Sequence, residues 1–150
     1  MQIDLSVLLP CTADVAAEYA KQPRLLAHVA HPLIDFKPVG LPEFPPLWKK
    51  GKNWVNMRLF GVFPLGNQAV VITYPQHGEG FAMRDNGHSH LIGTWDHLIT
   101  IEKTHAGTLY RDRLVVQAGF TTPMIWLFAK IFFRHRQRRW VQLAKNGFAF

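Results

Sequence analysis

The sequence predicts an α+β fold: one strand, two short helices, six further strands and a long C-terminal helix. Three observations carry this. Runs rich in β-branched and aromatic residues recur between turn signals over residues 54–117. Two of these runs, 94–103 and 108–117, flank His105-Ala106-Gly107 and read as a hairpin. Beyond them, Thr122 can cap a helix with Pro123 in its first turn, and Asn146-Gly147 suits its end. That helix of roughly 23 residues would be about 34 Å long at 1.5 Å per residue.

Taken in order, residues 2–9 form an apolar-rich first strand that Pro10 ends. Thr12 or Asp14 can cap a short helix through Ala20, and Pro23 suits the first turn of a second over 24–29. A second strand is expected at 33–39. Residues 40–48 carry three prolines and a glycine, too many for regular structure, and 49–53 read as a basic turn around Gly51. Strand three, 54–63, is expected to end at the turn signal Pro64-Leu65-Gly66-Asn67, with strand four over 68–74. Strand five, 80–85, should end at Asn86-Gly87, a strong turn dipeptide. No internal repeat or low-complexity tract interrupts residues 1–150, so a single domain is expected.

At 100° per residue, Met124, Phe128, Ile131 and His135 share one side of the terminal helix, flanked by Leu127 and Phe132. This stripe is expected to face the sheet. Trp126, Ala129, Phe133 and Trp140 line the opposite side, close to Arg134, Arg136, Arg138 and Arg139. Three readings of this second stripe stand: burial under a loop such as 41–48, tolerated exposure of scattered surface aromatics, or a surface for a partner or an anionic membrane.

The formal charge is +7, from 17 Lys and Arg against 10 Asp and Glu, and hydrophobic residues make up 48%. The apolar share suffices for a core and argues against disorder. The charge favours anionic partners, although no nucleic-acid motif accompanies it and nucleic acid is not expected. Cys11 is the only cysteine, which excludes an intrachain disulfide and a cysteine-based zinc site and suits a reducing, cytoplasmic setting. Asp4 interrupts the first apolar run and no basic segment precedes it, so no signal peptide is expected. The apolar stretch 123–133 is too short to span a bilayer, leaving at most a peripheral contact at the inner membrane face.

The order of elements, with Thr94-Trp95-Asp96-His97-Leu98-Ile99-Thr100-Ile101, then Gly107-Thr108-Leu109-Tyr110-Arg111-Asp112-Arg113-Leu114, then the terminal helix, resembles the START-like (SRPBCC) helix-grip superfamily. That superfamily includes Bet v 1-like proteins, lipid-transfer domains and small bacterial polyketide cyclase or dehydratase-like proteins. The resemblance spans nearly the whole chain. It implies a seven-stranded antiparallel sheet wrapped around the last helix, with a cavity between them. Fold analogy alone implies no activity.

By the period-two rule, Trp95, His97, Ile99 and Ile101 share one strand face, and Tyr110, Asp112, Leu114 and Val116 share another. The hairpin register makes His97 and Asp112 diagonal neighbours facing the interior. A carboxylate there can raise the imidazole pKa and fix its tautomer, giving a general base; the pair can equally be structural, since no nucleophile accompanies it. His88-Ser89-His90 puts two imidazoles on one face, with His77 nearby, but lacks a complete metal motif, and no metal or cofactor is expected. Arg58 and Arg84 can pair with a ligand carboxylate or lie on the solvent face. Gly-x-Ser-x-Gly, HExxH and the phosphate-binding loop are absent.

The expectation is therefore a binder of a small apolar or amphipathic ligand. Trp95, Ile99, Tyr110, Leu114, Met124, Phe128 and Ile131 would form its wall, and His97 and Asp112 would orient a polar group. The rival expectations are a cyclase, dehydratase or isomerase using His97 as base with Asp112 as orienter, and an interaction module, including a homodimer, using the second helix stripe.

Overall fold

The computed structural model describes residues 1–150. Its elements are β1 (Gln2–Leu9), α1 (Ala13–Ala20), α2 (Pro23–Ala30), β2 (Ile34–Pro38), β3 (Gly51–Leu59), β4 (Phe63–Thr73), β5 (Phe81–Ser89), β6 (Thr94–Thr104), β7 (Gly107–Gln117) and α3 (Thr122–Lys145). The seven strands form one open antiparallel sheet in the order β1-β7-β6-β5-β4-β3-β2. α3 lies across one face, closest to β1 and β7, and also packs on α2. No helix is long and apolar enough to cross a membrane.

Local chemistry accounts for most boundaries. Thr12 Oγ1 accepts the Val15 N–H at 3.3 Å and starts α1, and Pro23 sits in the first turn of α2, where a missing N–H costs nothing. Thr104 pairs with Gly107, so His105-Ala106 alone makes the β6–β7 turn. α3 starts one residue earlier than the caps predict. Thr121 is its N-cap, and the Thr122 hydroxyl donates to the Gly119 carbonyl at 2.6 Å and accepts the Ala118 N–H at 2.8 Å. The helix ends at Asn146, and Gly147 at φ 71° lets the Phe148 N–H return to the Leu143 carbonyl at 2.8 Å.

Three turn readings are corrected. Residues 49–53 are not all turn, since β3 already begins at Gly51, opposite Ile72. The chain reverses at Phe60-Gly61-Val62, and Pro64-Leu65-Gly66 lies inside β4. There the β3–β4 register shifts between Met57 and Arg58, an irregularity that accommodates Pro64 and a Gly66 at φ 88° without ending the strand. Asn86-Gly87 is also strand rather than turn. β4 and β5 approach so closely that a Cβ on Gly87 would stand 2.1 Å from the Ala69 carbonyl oxygen and 2.8 Å from Asp85 Oδ1. Glycine is there for space.

The orientation of α3 is the largest correction. Its buried residues are Ala129, Phe132, Phe133, Arg136, Gln137, Trp140, Leu143 and Ala144, a regular helical stripe. The side expected to meet a membrane or partner is thus the packing side: Phe133 and Trp140 are buried, and Trp126 donates its indole N–H to the Gln2 carbonyl at 2.7 Å. Arg136 is buried with them, and Arg139 donates to the His28 carbonyl at 2.9 Å, which leaves Arg134 and Arg138 exposed. Met124, Leu127 and Ile131, expected to face the sheet, are exposed. The physical reason is that Gln137 donates to polar groups on β1 and β7 and Arg136 is buried beside it, so the buried stripe is not the most apolar one. From the loop 40–48, Trp48 is buried in the same core cluster as Phe132 and Trp140, and its backbone N–H donates to the Lys21 carbonyl at 2.9 Å.

Candidate functional site

Because α3 sits over the β1–β7 edge, Ile3, Leu114 and Val116 close directly on Ala129 and Phe133. Over β2–β6 the helix stands off, and a cavity of about 390 Å³ remains between the sheet, α2, Trp48 and α3. Its size falls within the range of about 300–1,000 Å³ found for small-molecule sites. Of its 27 lining residues 21 are hydrophobic, so water gains little by entering. Leu91 on the β5–β6 loop and Met124 at the start of α3 line it while being mostly exposed, and they mark its mouth.

The floor is polar. Asp85 on β5 and His97 on β6 are direct cross-strand partners, and both line the cavity with Arg136 of α3. Behind them lies Asp112, paired with Ile99 and so diagonal to His97, as the period-two reading requires. Asp112 Oδ1 receives His97 Nε2 at 2.7 Å and the Tyr110 hydroxyl at 2.9 Å, and its Oδ2 receives the Gln137 amide at 2.9 Å. Gln137 also donates to the Leu5 carbonyl at 3.0 Å, so this network ties α3 to the sheet.

The electrostatics separate two carboxyls. Burial pushes Asp112 up, but the hydrogen bond from His97, the Arg136 charge and the Gln137 amide outweigh it and hold Asp112 below the ordinary carboxylate range. His97 moves opposite to the sequence expectation: burial lowers its pKa more than Asp112 raises it. The pair is an Asp112 carboxylate with a neutral imidazole that carries its proton on Nε2, leaving Nδ1 an acceptor. Burial, followed by the Asp112 charge, raises Tyr110 well above its usual value. Burial pushes Asp85 up to about 7, although its Oδ1 accepts the Val71 N–H at 2.9 Å.

Of the expected ligand-contacting residues, Trp95, His97, Ile99, Met124 and Phe128 line the cavity. Tyr110 and Asp112 sit behind the floor, Leu114 is packed under Phe133, and Ile131 points outward. The cause is again the placement of α3, which fills the space over β7. Sequence reasoning missed Asp85 and misplaced Arg136. Asp85 shares a strand face with Met83, and that period-two parity is the sequence signal that points it inward. Arg84 and Asp96 pair on the opposite face at 2.8 and 2.7 Å, and Arg58 is exposed. His88 lies edge-on to Trp54 at 6.1 Å, and no three His, Cys, Asp or Glu side chains gather to hold a metal.

Residues 47–144, from Leu47 through the floor to Ala144, match the family model described as "Domain of unknown function (DUF8410)". The chain belongs to the DUF8410 family. The matched span of this DUF8410 chain contains Asp85, His97, Asp112 and Arg136. No curated protein matches it. Among solved structures it is similar to a Thermus thermophilus protein at TM-score 0.69 and 7% identity, covering 98% of this chain and 99% of that one. It is also similar to a Mycobacterium smegmatis protein (TM-score 0.66, 12% identity, 95% and 89% covered). A Chromobacterium violaceum protein aligns at TM-score 0.65 and 14% identity, covering 95% and 96%. At such identities the likeness concerns the fold.

Proposed function

We infer that this protein binds a small amphipathic ligand between the sheet and α3, in the manner of a START-like helix-grip domain. The observation that carries this is the cavity of about 390 Å³, lined mostly by hydrophobic residues, with Asp85, His97 and Arg136 as its ionisable groups at the floor. Apolar walls stabilise a hydrocarbon or ring system at about 25 cal/mol per Å² removed from water, and a few convergent polar groups fix its orientation. Titration with an apolar fluorophore, followed by displacement with long-chain compounds, tests the reading. Saturable binding is expected, and Val70→Phe, which narrows the cavity, should weaken it at least tenfold. A fluorophore that binds both proteins equally would place the binding elsewhere.

A second reading is favoured by the His97–Asp112 pair alone. A neutral imidazole with a free Nδ1 acceptor at a cavity wall is suited to abstract a proton from carbon next to a carbonyl, as an isomerase, cyclase or dehydratase requires. Deuterium exchange into the α-carbon of a bound long-chain 2-ketone, lost in His97→Ala with binding intact, would support it. Exchange at the solvent rate in the native protein would dismiss it.

A further inference from the structure

Every buried charge on the floor has its partners except one. Arg136 is only 6% exposed, yet its Nε has no hydrogen-bond partner, and it joins none of the ion pairs of the chain. Its guanidinium lies between aromatic rings, 4.9 Å from the Phe133 centroid and 5.7 Å from that of Phe132. Rings offset only part of the cost of removing a cation from water. Trp140 Nε1 is also buried without a partner and its residue lines the same cavity, but an indole N–H carries no charge, and its ring packs on Tyr110 at 5.1 Å. The Arg136 side chain, by contrast, carries a full charge into the cavity lining.

We propose that the ligand is a long-chain monocarboxylate, seated head-first with its carboxylate on the Arg136 guanidinium and its chain running along the apolar walls toward Leu91 and Met124. This rests on the cavity-binding reading above and specifies its ligand class. A planar guanidinium offers paired N–H donors that match a carboxylate, and in an apolar, water-poor site such a pair is far stronger than in water. The charge balance of the site selects a monoanion. Arg136 is the one cation at the floor, whereas Asp112 is held ionised behind it and Asp85 stands on β5 beside it. A dianionic phosphate would meet this negative surround with a single cation. Asp85, facing the same space from β5, takes its proton easily because burial pushes its pKa up to about 7. In that form it donates a hydrogen bond to the bound carboxylate instead of repelling it.

Isothermal titration with dodecanoate, dodecyl phosphate and dodecanol below their micellar concentrations tests this. The chain is the same in all three and only the head differs. Dodecanoate should bind at least about tenfold more tightly than either of the others, the gain expected from a charged hydrogen bond. Arg136→Met, similar in length and apolar, should erase the preference over dodecanol while retaining dodecanol binding. Binding of dodecanoate should also take up protons near pH 7, seen as an enthalpy that varies with the ionisation heat of the buffer, and Asp85→Asn should remove that uptake. Equal affinity for dodecanoate and dodecanol in the native protein overturns the carboxylate assignment and leaves the cavity-binding reading standing, whether or not the Arg136 variant folds. Tighter binding of dodecyl phosphate overturns the monoanion argument. No binding of any of the three overturns both.

Discussion

Asp85 is a carboxyl that the fold holds in its protonated range, and this makes its effect on stability depend on pH. Burial raises its folded pKa to about 7 from the ordinary value of 3.8. Between these values the folded chain holds a proton there that the unfolded chain has lost. The Asp85 contribution is therefore full below about pH 4 and is lost as pH rises through about 7. Arg136 of α3 and the Val71 and Gly87 backbone amides oppose the shift, Asp96 of β6 adds to it, and neutral His97 faces Asp85 across the strands. Chemical denaturation at pH 5 and pH 8.5 is expected to show Asp85→Asn gaining on the native protein as pH rises. A stability difference that does not vary with pH would contradict the burial of that carboxyl. His97 should still show neutral imidazole shifts by ¹⁵N NMR at pH 6.5, since burial lowers its pKa. Asp112→Asn or Gln137→Ala, each breaking the network that ties α3 to the sheet, should cost about 1.5–3 kcal/mol. The His97–Asp112 pair was legible because strand parity and hairpin register are properties of sequence spacing. The direction of the His97 shift was not, since it depends on how completely α3 and β7 exclude water.

At the scale of elements, α3 decides the architecture. Phe132, Phe133, Trp140 and Leu143 each contribute about 1.5–3 kcal/mol by burial, a sum comparable to the whole stability of a typical domain. Truncation after Gly119 should therefore abolish cooperative unfolding, and circular dichroism melting of the 1–119 fragment checks it. Its length and both ends were legible from Pro123 and Asn146-Gly147. Its rotation was not: the buried stripe contains Arg136 and Gln137, and the partners of Gln137 lie on β1 and β7, far away in sequence. The same holds for Gly87, where the spacing between β4 and β5 determines the residue. Gly87→Ala should destabilise by about 1–3 kcal/mol, because the Ala69 backbone must move to admit a methyl group. A variant as stable as the native chain by urea denaturation would show that the strands separate there easily.

At the scale of the whole molecule, an offset helix on an open sheet leaves a cavity where the two surfaces part. The α+β order was readable from the alternation of strand and turn signals. A cavity between sheet and helix was implied by the resemblance alone, and its position over β2–β6 was not readable, because it follows from where α3 rests. The four methionines offer a direct test of the claim that this space is the binding site. Met57, Met83 and Met124 line the cavity, on β3, β5 and α3, whereas Met1 lies outside it at the start of the chain. Methyl-¹³C methionine spectra recorded during titration with dodecanoate should show Met57, Met83 and Met124 shifting along one common saturation curve while Met1 stays in place. Unmoved resonances from the three lining methionines, or a response confined to Met1, would contradict the account.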